Sequence, residues 1–382
     1  MITFIYGGYG SGKSSAVLES IKKDTENGIH TFLIVPDQEA VQSERSTLIA
    51  LPNSAQLNLE VLGFSRLYNR VCREYGGLSY RYITKPIRHL LMWQNLRELY
   101  PLLEELSASP EKDASICDVM ISAIVECKAS SITPDMLEKT ARSMPDGSPL
   151  AGRLRDLALI YASYDRLIAD SYSDSADDVS RLFDVLSKHS FFKGSNVYID
   201  SFTSFTAAEH KVIERIFADA DNVTITIPLP NPKYNDISVR SIKASEERLI
   251  RSASLYKGHR DHILHGNKRA DSPVLAHVAE NIWRLDLSSD TGKVYNDGSI
   301  VAEICDTPYA EAEAVSNRIL ELLRNGERCR DILVLTRSPE KYRGIIEPAF
   351  EKNGIPYYFD VRRLGLAGQY DYVARADEKR AC

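Results

Sequence analysis

The sequence predicts an α/β fold around a parallel sheet, with an all-helical insertion and the start of a second α/β unit. Three observations carry that expectation. Short β-rich apolar runs alternate with amphipathic segments in residues 1–84 and again in 191–230. Residues 85–190 keep helical spacing, as in Ile87, Leu90, Leu91, Leu96, Leu99, Leu102 and Leu103, then Leu154, Leu157, Ile160, Tyr161 and Tyr164. Strand–helix alternation resumes near Ile300.

The first strand is the run Ile2-Thr3-Phe4-Ile5-Tyr6, and Gly7-Gly8-Tyr9-Gly10-Ser11-Gly12-Lys13-Ser14 follows it. That octet fits G-x-x-x-x-G-K-[ST], and residues 14–21 continue it as a helix. Strand, glycine loop and helix in this order make a phosphate loop. Gly7, Gly8, Gly10 and Gly12 let backbone N–H groups turn inward around a phosphate, with Ser11 in the same turn, and the helix N-terminus adds a favourable dipole. Lys13 is a point charge for the terminal phosphates of ATP, and the Ser14 hydroxyl is a ligand for Mg²⁺. A second strand at 31–35 closes a βαβ unit and ends in Pro36-Asp37-Gln38-Glu39. A third, 57–62, runs into Gly63-Phe64-Ser65-Arg66-Leu67, where Phe64 and Leu67 read equally well as core.

A phosphate-loop protein also needs an acid at the tip of another buried strand. Asn196-Val197-Tyr198-Ile199-Asp200 supplies it, which makes Asp200 the second candidate for Mg²⁺. Ser201 follows, where hydrolysing helicase-type NTPases carry Glu, and Ser201 cannot act as a base. Glu209 is the nearest acid downstream. Binding of ATP with weak or no hydrolysis is therefore expected.

Residues 231–297 read as a basic-leaning helical connector. Its His259, His262 and His265 lack the Cys or acid cluster that would complete a metal site. The acidic run at 170–178 lacks the Gly and terminal Glu of a calcium loop, and reads as a solvated turn with a helix cap. Residues 298–363 read as the second α/β unit, with strands at 300–305 and 331–336 and helices at 310–323 and 339–352. Arg337, at the tip of the 331–336 strand, reads equally well as a guanidinium for a γ-phosphate and as an ordinary surface arginine. Residues 364–382 lose periodicity and read as a poorly folded tail.

Composition narrows the field further. The 382 residues are 43% hydrophobic and 26% charged with a net charge of -6, an ordinary globular balance. No apolar run is long enough to span a bilayer, and the N-terminus lacks a secretory signal pattern. Cys72, Cys117, Cys127, Cys305, Cys329 and Cys382 form no CxxC pair, which fits a reducing cytoplasm.

Several blocks in order resemble the UvrD-like superfamily 1 helicases and, within them, the AddB/RexB subunits of bacterial helicase–nucleases. They are the Gly7–Ser14 loop, Leu33-Ile34-Val35-Pro36-Asp37-Gln38, Val61-Leu62-Gly63-Phe64-Ser65-Arg66-Leu67 and Tyr198-Ile199-Asp200-Ser201-Phe202-Thr203-Ser204-Phe205-Thr206. Leu157-Ala158-Leu159-Ile160-Tyr161 with Tyr172-Ser173-Asp174, Asp331-Ile332-Leu333-Val334-Leu335-Thr336-Arg337 and Gly354-Ile355-Pro356-Tyr357-Tyr358-Phe359 complete the set. The resemblance implies a RecA-like first motor domain (1–84 plus 191–230), a helical insertion (85–190) and a partial second RecA-like domain. It implies ATP and Mg²⁺ as cofactors, with Lys13, Asp200 and Arg337 as catalytic candidates. It also implies DNA as a partner, touched by Gln38, Phe64, Ser65 and Arg66, and an AddA/RexA-like subunit in double-strand break processing. AddB-type chains are much longer and end in an iron–sulfur nuclease domain, so the chain is expected to be the N-terminal helicase-like part, without a nuclease site. The upstream glutamine motif that reads adenine in this superfamily has no room before Gly7. A non-hydrolysing scaffold with a relic phosphate loop and a small-molecule kinase are the alternatives.

Overall fold

The computed structural model describes residues 1–78, 81–106, 115–145, 147–169, 172–270, 272–281 and 297–359. They form two compact units divided between Ser299 and Ile300. In the first, β1 (Ile2–Tyr6), α1 (Lys13–Glu26), β2 (His30–Ile34), α2 (Ala40–Ala50), α3 (Asn53–Gln56), β3 (Leu59–Leu62) and α4 (Phe64–Tyr75) come first. Next are β4 (Arg81–Tyr82), α5 (Lys85–Leu99), α6 (Ser115–Ala129), α7 (Pro134–Arg142), α8 (Pro149–Ala169), β5 (Tyr172–Ser173) and α9 (Asp178–Leu186). Last are β6 (Ser195–Ile199), α10 (Ala207–Asp219), β7 (Asn222–Ile227), α11 (Arg240–Tyr256), β8 (His259–Ile263) and α12 (Pro273–Asn281).

Six strands form one parallel sheet in the order β3-β2-β6-β7-β1-β8. Successive side chains of a strand face opposite sides, and here both sides are covered. Phe4, Phe32, Ile34, Val197, Ile199 and Ile225 pack on one side with α4, α9, α10 and α11. Ile5, Leu33, Val61 and Tyr198 pack on the other with Val17 and Ile21 of α1. Burial on both faces explains why these strands read as continuous apolar runs.

The structure corrects the expected organisation in four places. The connector is not all helical: β8 lies within it and pairs with β1, His259 opposite Ile2 and His262 opposite Ile5. The insertion is not purely helical either, because β5 lies within it and pairs in parallel with β4 just ahead of it, where the chain leaves the sheet unit and returns to it. Third, α9 belongs to the sheet: its Leu182 and Leu186 are fully buried with Phe192, Leu67 and Val71. The helical core proper is built from Met92, Leu96, Ile124, Ile160, Tyr161 and Tyr164, while Leu90 and Leu102 of the predicted stripe are exposed. Fourth, the acidic run has the expected helix cap, at Asp174, but is not solvated. Asp174 is buried, accepts from the Ala176 N–H and pairs with Arg88 at 2.6 Å, and Asp177 pairs with Lys128. Asp170 and Ser171 lie outside the described residues.

Asp178, 5% exposed, opens α9, one carboxyl oxygen accepting from the Tyr82 hydroxyl at 3.1 Å and the other without a partner among the described residues. Burial pushes its pKa up to about 6, against the opposing pull of Tyr82 and Arg181. A carboxyl raised in the folded state adds stability that is full below its unfolded pKa and is lost as pH climbs through about 6. Asp178→Asn should remove that slope. Between pH 4 and 7 the wild type should lose roughly 2 kcal/mol relative to the variant, read by denaturant melts at each pH. Parallel pH profiles would refute it.

The second unit holds α13 (Pro308–Arg324), α14 (Pro339–Tyr342) and α15 (Ile346–Lys352) around Ala312, Ile319, Ile346 and Phe350. Thr307 caps α13 by accepting from the Ala310 N–H. The expected strands at 300–305 and 331–336 form no ladder among the described residues, and Ile304, Leu333 and Leu335 are exposed. A strand forms only against a neighbour that accepts its hydrogen bonds, and none is present for these segments among the described residues. The expected 339–352 helix is broken at Gly344, whose φ is +77°. The predicted tail at 364–382 falls outside the described residues. No helix among the described residues is long and apolar enough to cross a membrane.

Candidate functional site

The glycine loop leaves β1 at Tyr6, whose buried hydroxyl donates to Glu246 of α11 at 2.8 Å and fixes the strand end. Gly12 caps α1 at φ +90°, a conformation that a residue with a Cβ adopts only under strain. At Gly7 a Cβ would come within 2.2 Å of Ser11 Oγ. Ser11 is itself buried, with a hydroxyl that has no partner among the described residues. The Lys13 ammonium folds back over the loop and donates to the carbonyls of Gly7 at 2.7 Å and Gly8 at 2.9 Å. Burial lowers its pKa, and the Asp200 carboxylate partly restores it.

Asp200 follows β6 directly. It is 7% exposed, its N–H donates to the Ile34 carbonyl at 3.0 Å, and Thr226 of β7 donates to its Oδ1 at 2.5 Å. Ser201 has φ +68°, a left-handed conformation that is costly for a residue other than glycine. Glu209 forms a capping box with Thr206, its carboxylate accepting from the Thr206 N–H at 2.7 Å. It is therefore engaged at the start of α10.

Lys13, Ser14, Asp200 and Ser201 line one cavity of about 470 Å³ beyond the carboxyl ends of the strands. Lys268 and Arg269 line it too, and sequence reasoning passed over both. They arrive on the segment after β8, which is latched to the glycine loop. The Lys268 N–H donates to the Gly10 carbonyl at 2.7 Å, and Asn267 Oδ1 accepts from Arg269 and Ala270 N–H groups. Gly10, at φ +80°, has no space for a Cβ beside Asn267 Oδ1, which would stand 2.4 Å away. Three cations thus face one carboxylate, so the site favours an anion. The available signal was the basic Asn267-Lys268-Arg269 triplet at the end of a strand-length segment.

The predicted DNA-facing residues divide. Gln38 is exposed. Phe64 is 3% exposed and packs edge-on against Phe202 at 5.7 Å, so its ring is core and does not face a base. Ser65 donates its hydroxyl to Asp37 at 2.8 Å, an arrangement that needs Gly63 because a Cβ there would meet Asp37 Oδ1 at 2.0 Å. Arg66 is half exposed and paired with Glu44 at 3.0 Å. Arg337 is exposed in the second unit.

These observations define the class: a parallel α/β protein with an anion-favouring site at the carboxyl edge of its sheet, built on a glycine loop. The family model described as ADDB, N-terminal, matches residues 4–278. The chain belongs to that family. It is 28% identical over 370 residues to the B-type subunit of the ATP-dependent helicase/deoxyribonuclease of Acetivibrio thermocellus, covering 94% of this chain and 32% of the relative. The proteins of the same name from Clostridium tetani and Alkaliphilus oremlandii are 28% and 29% identical, over 95% of this chain and 33% and 32% of their own lengths. The chain therefore spans about a third of the length of these curated relatives, between 32% and 33%.

Proposed function

We propose that this chain is the ATP- and single-stranded-DNA-binding helicase-like part of the AddB/RexB component of an AddAB/RexAB-type helicase–exonuclease. It works in double-strand break repair and recombination, in the cytoplasm, together with an AddA/RexA-like partner. The observation that supports this best is the convergence of Lys13, Ser14, Asp200, Lys268 and Arg269 on one cavity next to a glycine loop. The groups fit a nucleoside triphosphate with Mg²⁺. Ser11 keeps a buried hydroxyl without a partner among the described residues, and Lys13 donates to loop carbonyls that a phosphate oxygen would replace as acceptor. Lys13 and the loop N–H groups would hold phosphates, and Ser14 and Asp200 the Mg²⁺, which neutralises phosphate charge. Gln38, Ser65 and Arg66 are assigned to DNA.

Hydrolysis is expected to be weak. Ser201 offers no base, and Glu209 is held in its capping box. The same two observations favour the second reading, a scaffold whose glycine loop is a relic. Titration with ATP·Mg²⁺ separates them. Micromolar binding is expected, with turnover far below that of an active helicase, with or without single-stranded DNA. Absence of binding by the wild-type chain would leave the scaffold reading.

A further inference from the structure

A second cavity of about 390 Å³ adjoins the first across Tyr9, Thr203 and Pro228, which line both. It sits at the carboxyl edge of the sheet, since Gly8, Pro228 and Leu264 follow closely on β1, β7 and β8. Its chemistry differs from its neighbour's. Pro230, Tyr234, Ile242 and Leu264 give it apolar, partly ring-built walls, and Ser241 and His265 place hydrogen-bonding groups among them. The walls are firmly held: Tyr234 and Ile242 pack against the main core, and the Leu264 N–H donates to the Tyr6 carbonyl at 2.8 Å.

A mostly apolar cavity with polar groups on its lining suits a flat heteroaromatic ring that stacks on its faces and hydrogen-bonds at its edges. Three cations line the adjoining cavity. A ligand that carries phosphate and a flat heterocycle at adjacent positions is a nucleotide. We infer that the cavity between Tyr234, Ile242 and Leu264 is a nucleobase pocket. This rests on the phosphate reading of the first cavity. The base comes either from the nucleotide held by the glycine loop or from a single strand crossing the edge of the sheet.

Ser241 is exposed in the first turn of α11 and lines the pocket, so Ser241→Trp fills it from the surface without touching the core. Leu255→Trp, 82% exposed in the last turn of the same helix, is the control. Four probes are titrated: ATP·Mg²⁺, tripolyphosphate·Mg²⁺, an oligothymidylate, and an abasic strand of equal length. Ser241→Trp should weaken a base-bearing probe by about tenfold or more and leave its base-free counterpart within about twofold. A loss confined to ATP assigns the pocket to the nucleotide's own base, and a loss confined to oligothymidylate assigns it to the strand. Equal effects on base-bearing and base-free probes, no effect, or the same loss in Leu255→Trp overturns the inference. If the wild type binds neither ATP nor tripolyphosphate, the reading of the first cavity fails. The two strand probes then decide this one, and equal binding of both overturns it.

Discussion

Lys13→Ala is expected to lower ATP·Mg²⁺ affinity by about a hundredfold or more while leaving the fold intact. The ammonium donates to two loop carbonyls and lies with Asp200 in the wall of the cavity. Its neighbours from the segment after β8, Lys268 and Arg269, add positive charge without sharing its position within the loop. A charge-assisted bond to phosphate contributes roughly 1.5–3 kcal/mol, and Lys13 has more than one donor to offer, which gives about 3 kcal/mol as the loss. The same bonds matter little for folding. They close on carbonyls at the rim of an open cavity, which water satisfies once the side chain is gone, so the melting temperature should shift by no more than about two degrees. Isothermal titration beside a thermal melt reads both quantities. Equal ATP affinity in wild type and variant would remove Lys13 from the site.

The glycine loop that holds Lys13 is visible in the sequence, and the contrast with β8 shows why other parts of the site are not. β1, β2 and β6 contribute to both cores, so burial wrote apolar runs into them, while β7 faces one core with Val223, Ile225 and Ile227. The edge strand β8 is His-Arg-Asp-His-Ile with all five residues exposed, and its place comes from main-chain pairing to β1, which any side chain can make. Losing that strand meant losing Lys268 and Arg269, which β8 carries to the glycine loop. Helix α9 failed differently. Leu182 and Leu186 have the same period as the insertion's helices, and only contacts with Leu67 and Val71 of distant α4 assign them to the sheet. In Gly63-Phe64-Ser65-Arg66 the pattern announced a strand–helix junction, but did not say which of two adjacent residues points inward. Phe64 does, and its ring lies against Phe202, two residues beyond Asp200. The glycine-loop half of the candidate site was thus legible as a local motif, and the half delivered by long-range pairing was not.

The largest stability effect is expected at Asp156→Ala, far from the glycine loop. Asp156 sits on α8, 2% exposed, and its carboxylate accepts three backbone N–H groups: Glu104 at 2.8 Å, Glu105 at 2.8 Å and Leu106 at 2.9 Å. Those amides belong to the segment that follows α5 and the short turn Tyr100–Leu102. The segment crosses α8 closely, for a Cβ at Gly152, one turn before Asp156, would stand 2.5 Å from Glu105 Cγ. An alanine leaves three partly buried donors without an acceptor, each costing about 1–3 kcal/mol, so a loss of about 3–5 kcal/mol is expected. That is a large share of the roughly 5–15 kcal/mol that stabilises a typical domain. Asparagine restores little. Its oxygen can take the Glu105 and Leu106 N–H groups, but its amide nitrogen then faces the Glu104 N–H, donor against donor. The expected order of stability is wild type, then Asp156→Asn, then Asp156→Ala. The helical core of Met92, Leu96, Ile160 and Tyr164 is separate from the sheet core, so the damage should begin there. Hydrogen exchange should therefore rise across α5 and α8 before it rises in β1 and β6. Uniform loss of protection in both regions would mean that the two cores fold as one cooperative unit. Full stability of Asp156→Ala would show that the three amides find other acceptors.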